Sequence, residues 1–191
     1  MCDFYHRPAG NLPEPGLNSG TQLVLRKVAA GDEEFLFALF TEARGGSFAW
    51  LPPEQAASLL RMQFRAQQQS YSADFPGSSP ALMILNGEKR AGVLWIAELA
   101  NEYRIVDIAV AAAFQRRGIG STLVRELLAA AHLKGKAVCA SVAKTNAGSL
   151  LFHKRLGFRI CGEDAVSYQL RAGLNGLEKP GLPEECSTLP D

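Results

Sequence analysis

The chain has 191 residues, 47% of them hydrophobic and 20% charged, with a formal net charge of +1. That is the composition of one soluble globular domain with an ordinary core, and it gives no overall electrostatic pull toward nucleic acid or an anionic membrane surface. No apolar stretch approaches the roughly 18 residues that cross a bilayer, and Cys2, Cys139, Cys161 and Cys186 lack the Cys-x-x-Cys spacing of a zinc site, so no metal, no membrane and a reduced cytoplasmic setting are expected.

Residues 1–20 and 172–191 are rich in Pro, Gly and polar side chains without helical or strand period, and read as flexible segments around a domain at 21–171. Pro8, Pro13 and Pro15 stand where a secretory leader needs an apolar core. The domain is expected to open with a strand at 22–28, alternating through Leu23, Leu25 and Lys27. A helix follows, with Asp32 as its N-cap, Glu33 and Glu34 at its positive end, and Phe35, Leu36, Leu39 and Phe40 as one apolar stripe. Gly45 and Gly46 break it. Pro52 or Pro53 then starts a second helix whose buried side is expected to hold Leu59, Leu60, Met62 and Phe64. Apolar strands at 81–85 and 91–97 flank Asn86-Gly87, a hairpin signal.

The next strand, 103–110, leads into Gln115, Arg116, Arg117, Gly118, Ile119 and Gly120. Behind these six, Ile119, Leu123, Leu127 and Ala130 recur with helical period, with Val124 and Leu128 alongside. Strand, glycine turn and helix start together form an anion seat. The first N–H groups of a helix lack intrahelical partners, the macrodipole is positive there, and glycines let the backbone come close. A strand at 137–142 follows. Asn146 then opens a further helix, with Ser149, Leu150 and His153 on its face at i+3, i+4 and i+7, and Gly157 closes it. Residues 158–161 and 165–170 read as a closing antiparallel pair.

Within the strand Ile105-Val106-Asp107-Ile108-Ala109-Val110, a buried carboxylate costs several kcal/mol unless it is paired or opens on a site. Asp107 therefore either faces a functional site or is capped by backbone or paired with Arg104 or Arg159. Glu98 and Glu102 near the preceding strand end are further acids, each with solvation as the default reading.

The hexapeptide at 115–120 and the run Asn-Ala-Gly-Ser-Leu-Leu-Phe-His-Lys-Arg-Leu-Gly-Phe at 146–158 resemble, in order and without gaps, the two signatures of the GCN5-related N-acetyltransferase (GNAT) superfamily. The resemblance spans roughly 22–170, with its specific motifs in the second half. It implies an α/β fold with a mixed central sheet of about six to seven strands flanked by about four helices and splayed at the acyl-CoA site. It implies acetyl-CoA as cosubstrate, its pyrophosphate held by Gln115, Arg116, Arg117, Gly118, Ile119, Gly120 and Ser121. Its pantetheine arm would pair with the backbone of Ile108, Ala109 and Val110, and Asn146 and Ser149 would lie beside it. The implied chemistry is direct transfer of an acetyl group to a primary amine whose identity the motifs leave open, with a small-molecule amine or amino acid favoured over a protein. Asp107 is then the candidate base or amine-binding residue. His153, standing where the family usually has Tyr, is either the candidate acid or a residue filling the Tyr space, with Tyr103 and Tyr168 in reserve. A GNAT-fold acyl-CoA-binding or sensor module without turnover is the alternative. Nucleic-acid phosphate at the loop is disfavoured by the neutral charge. A homodimer is compatible with the sequence but not readable from it.

Overall fold

The structure is a computed structural model that describes residues 22–44, 46, 48–85 and 89–173. The expected flexible segments and the Asn86-Gly87 turn lie, wholly or almost so, outside these residues. Seven strands form one mixed sheet: β1 (Leu23–Lys27), β2 (Ser79–Leu85), β3 (Lys89–Glu98), β4 (Glu102–Val110), β5 (Ala137–Ala143), β6 (Arg159–Glu163) and β7 (Ser167–Ala172), in the order β1-β2-β3-β4-β5-β7-β6. Four helices accompany it: α1 (Glu33–Ala43), α2 (Pro53–Asp74), α3 (Ile119–Leu133) and α4 (Ala147–Arg155). Among the described residues, contacts divide the chain into two units, one of residues 22–95 with 107–119, the other of residues 96–106 with 120–173.

In the first unit the core joins Leu36, Leu39 and Phe40 of α1 to Phe64 of α2, Leu82 and Ile84 of β2, and Val93 of β3. Phe64 meets Phe40 and Phe37 edge-on, with ring centroids 5.5 and 5.8 Å away. Each such side chain is worth about 1.5–3 kcal/mol of apolar burial, and this is what holds α1 and α2 to their strands. Pro53 is the first residue of α2, where its missing N–H costs nothing. The expected buried side of α2 needs correction: Phe64 is buried, but Met62 is 61% exposed. Leu60 and Phe64, four apart, share a face, while Met62 stands roughly 200° round the helix from Leu60.

Asp32 takes the expected N-cap position of α1, yet its carboxylate makes no cap bond there. Instead it accepts the Ala29 N–H at 2.8 Å and both terminal nitrogens of Arg26 at 2.8 and 2.9 Å, with Arg90 Nε at 3.3 Å. Two arginines from β1 and β3 thus offset the desolvation of a 1% exposed carboxylate.

In the second unit β4 and β5 are parallel, from Glu102 opposite Ala137 to Ile105 opposite Ala140, and both strands run on past that register. β5 pairs antiparallel with β7, which pairs antiparallel with β6 across a bulge between Ile160 and Gly162. On α3, Leu123, Val124 and Leu127 are fully buried. Gly157 ends α4 at φ 91°, with its N–H bonded to Lys154 O and the Phe158 N–H to His153 O, a Schellman close.

Candidate active site

β4 ends at Val110, a single turn of 3-10 helix covers Ala112–Phe114, and the glycine loop delivers the chain to α3. Two loop residues are left-handed, Arg116 at φ 59° and Gly118 at φ 80°. Left-handed residues alternating along a turn bring successive N–H groups to one side, a concave nest for an anion, and α3 adds its dipole. A side chain at positive φ costs on the order of 1–2 kcal/mol, which Arg116 bears and Gly118 avoids. Gln115 Nε2 donates to the Val110 carbonyl at 2.8 Å, and the Ala112 N–H donates to Glu42 Oε2 at 3.1 Å, so the loop is anchored at its root. Arg116 and Arg117 are exposed, with Arg117 5.5 Å from the Phe114 ring centroid. Ile119 is buried and anchors the helix, while Gly120 and Ser121 occupy its half-buried first turn.

β4 changes character along its length. Glu102 to Ile105 are buried, whereas Val106 to Val110 are only half-buried, although β4 is the middle strand of seven. Asp107 lies in this second half. Burial pushes its carboxyl up to about 6, against the Ile108 N–H it accepts and the Arg44 charge nearby, and it makes no ion pair among the described residues. Arg104, one expected partner, donates instead to Glu102 at 2.8 Å. Asp107 lines a cavity of about 70 Å³ in the first unit, together with Phe40, Arg44, Phe64, Gln68 and Trp95. Burial lowers the Arg44 guanidinium, which stacks 3.5 Å over the Phe40 ring. Burial, with Asp107 adding to it, raises the Tyr71 hydroxyl to about 12, and that ring stands edge-on to Trp95 at 5.5 Å.

In the second unit, Asn146 Oδ1 caps α4 by accepting the Ser149 N–H at 3.0 Å. His153 is 2% exposed, edge-on to Phe152 and Phe158, both at 5.1 Å. Its Nδ1 is 2.9 Å from the Ser149 carbonyl oxygen and 3.4 Å from Ser149 Oγ. A carbonyl only accepts, so Nδ1 carries the proton and Nε2 the lone pair. Nε2 has no partner among the described residues. Burial lowers the imidazole, keeping it neutral near pH 7, against the Ser149 bond that favours the charged form.

The reserve residues are occupied elsewhere. Glu98 accepts Lys134 Nζ at 3.1 Å and Lys136 Nζ at 3.0 Å, and although burial would raise its carboxyl, these bonds hold it at about 2. Tyr103 shares that cluster. Glu102 is bound by Arg104 and by Cys139 Sγ at 3.1 Å. Tyr168 is half-buried with Lys144 Nζ 5.3 Å from its ring. Arg44 and Tyr71 were not singled out by sequence as partners of Asp107. Only the four-residue spacing of Phe40 and Arg44 hinted that this arginine folds back.

A strand running through a loop with two left-handed residues into a 15-residue helix, within a mixed seven-stranded sheet, defines an open-sheet α/β fold. The model of the acetyltransferase (GNAT) family matches residues 40–158, more than half of the chain, and the chain belongs to that family. Comparison with curated proteins finds no match. Among solved structures, the fold is similar to PaiA N-acetyltransferase of Thermoplasma acidophilum in complex with coenzyme A, at 17% identity and TM-score 0.60, covering 80% of this chain and 99% of that one. It is similar to an acetyltransferase of Thermus thermophilus, at 22% identity and TM-score 0.56, covering 80% and 97%. It is also similar to spermidine N-acetyltransferase of Vibrio cholerae in complex with CoA and spermine, at 16% and 0.52, covering 78% and 94%. Among the described residues no helix is long and apolar enough to cross a membrane.

Proposed function

We propose that this protein is an acetyl-CoA-dependent N-acetyltransferase acting on a primary amine of a small molecule. The observation that carries the reading is the loop between β4 and α3, inside the stretch that matches the family, where Arg116 and Gly118 are left-handed ahead of a helix start. Backbone N–H groups from Arg116 to Ser121 would hold the pyrophosphate, with the two arginines adding charge. The half-buried backbone of Ile108, Ala109 and Val110 would meet the pantetheine arm. A small-molecule acceptor is favoured by the cavity beside Asp107, walled by aromatic rings. A cytoplasmic setting belongs to the same reading, since acetyl-CoA must be supplied there.

In this mechanism Asp107 takes a proton from the acceptor ammonium. The freed amine forms the C–N bond at the thioester carbon, a backbone N–H of β4 steadies the oxyanion, and the C–S bond breaks as the nitrogen's second proton leaves for the departing thiolate. His153 is the residue assigned to the departing thiolate, with Asn146 and Ser149 on the same helix. Its resting tautomer offers a lone pair at Nε2, so it donates there only as an imidazolium, which burial opposes. That observation favours one second reading, an acyl-CoA-binding module with weak or no turnover. Kinetics of His153→Phe and His153→Tyr separate the two. An acid at this position predicts a kcat loss of about tenfold or more in the phenylalanine variant and recovery in the tyrosine variant, whereas equal rates in all three proteins remove His153 from the chemistry.

Thermal unfolding with acetyl-CoA tests the cofactor assignment. At 100 times its dissociation constant the ligand adds about 2.7 kcal/mol, a rise of roughly 5–10 °C. Gly118→Asp, which places a carboxylate at the nest, abolishes the rise. No rise at millimolar acetyl-CoA in the parent would sink the enzyme and the binding module together.

A further inference from the structure

Gly92 lies inside β3, a position where glycine weakens a strand relative to alanine. Its backbone is not left-handed, so conformation does not demand glycine there. Space does. A Cβ on Gly92 would collide with the Ala109 carbonyl oxygen and stand 3.1 Å from Val110 Cα and 2.9 Å from Met83 Sδ. The sulfur ends a flexible side chain and can swing aside. The carbonyl belongs to the backbone of β4 and cannot.

In a regular antiparallel ladder the carbonyls lie near the sheet plane while Cβ atoms project out of it. An Ala109 oxygen within reach of a Cβ on Gly92 has therefore left that plane. On the C-terminal side the Ala111 N–H donates to the Ala91 carbonyl at 2.9 Å, so the two strands are bonded again one residue past the peptide between Ala109 and Val110. A trans peptide points its C=O and N–H in opposite directions. With the Ala109 oxygen turned over Gly92, the Val110 N–H is turned away from β3.

We propose that Gly92 is a positioning residue for acyl transfer: its missing side chain lets the Ala109–Val110 peptide tilt, presenting the Val110 N–H to the acyl oxygen as that oxygen gains charge. This rests on the acetyltransferase reading. A methyl group at Gly92 drives β4 back by roughly an ångström, and misplacement of that size costs on the order of 100-fold in rate, as does removal of one oxyanion donor.

The test compares the parent with Gly92→Ala and with Gly92→Ala combined with Met83→Ala, by steady-state kinetics well below the unfolding transition. The expected result is a kcat about 100-fold below the parent in both variants, with the amine KM within about threefold. Recovery in the double variant would show that Gly92 only makes room for Met83, and a parent-like kcat in the single variant would equally overturn the proposal. The ¹⁵N-labelled parent gives a measurement that needs no variant. Acetyl-CoA shifts the Val110 amide resonance and slows its hydrogen exchange if the proposal holds, and an unchanged Val110 amide in a parent that binds acetyl-CoA overturns it. A parent that neither binds nor turns over acetyl-CoA instead removes the acetyltransferase reading itself.

Discussion

Asp32 and Asp107 are carboxylates drawn into the same unit of the chain, and their surroundings push them in opposite directions. Arg26 bonds hold Asp32 at about 2 despite burial, with Ala29 and Arg90 assisting. Burial lifts Asp107 to about 6, with the Ile108 N–H and the more distant Arg44 charge opposing it. One residue type therefore meets two environments. Asp32 is a structural node, ionised at neutral pH and bonded by two arginines, while the value near 6 suits the general-base role proposed for Asp107.

The widest way to break this comparison is to neutralise each aspartate in turn. Asp107→Asn is expected to lower kcat/KM by about 100-fold or more, while Asp32→Asn leaves the rate per folded molecule near the parent value. Equal losses from both, measured by amine-dependent thiol release, would remove Asp107 from the chemistry.

Stability is expected to move the other way, with a smaller effect. A carboxyl raised by folding contributes stability that is present below about 3.8 and lost as pH rises through about 6, so Asp107→Asn gains about 1–3 kcal/mol at pH 8 and little at pH 4. A carboxyl lowered by folding contributes stability above about 3.8 that is lost as pH falls through about 2, so Asp32→Asn loses about 1–3 kcal/mol at pH 7 and progressively less in acid. Melting curves of both variants across pH 3–8 give the two signs directly, on the order of 3–8 °C each. A destabilised Asp107→Asn at pH 8 would mean that the carboxylate is bonded in a way that burial alone does not describe.

The smallest effect concerns Arg44, the cation whose charge bears on Asp107. The parent kcat/KM is expected to rise with pH to a plateau above about 6. Arg44→Gln removes a charge that favours the carboxylate, moving that limb to higher pH by a fraction of a unit. A limb that stays in place assigns the titration to another group.

Much of this was legible in sequence because it was local. The glycine loop, the Asn146 cap, the Gly157 close and the helical period of α3 each occupy a few consecutive residues, and local sterics and capping decide them. The four helices and the parallel β4–β5 pair followed from period and from the two family signatures. Asp107 stood out because a carboxylate inside an apolar strand needs a reason. Asp32 stands at the N-cap of α1 as its place before a helix suggests, but its carboxylate turns to arginines of β1 and β3 and not to the helix. Met62 misled because nearby apolar residues on a helix need not share a face.

Dihedral preference, period and capping within single segments were enough to mark the helices and strands, the order of the two signature motifs and the glycine loop ahead of α3. Folding was needed to bring Arg44 and Tyr71 to Asp107, to engage Glu98 and Glu102 with Lys134, Lys136, Arg104 and Cys139, and to set Gly92 under the Ala109 carbonyl. Electrostatic environment and close backbone approach are properties of distant segments meeting, and no spacing along the chain encodes the distance at which they meet.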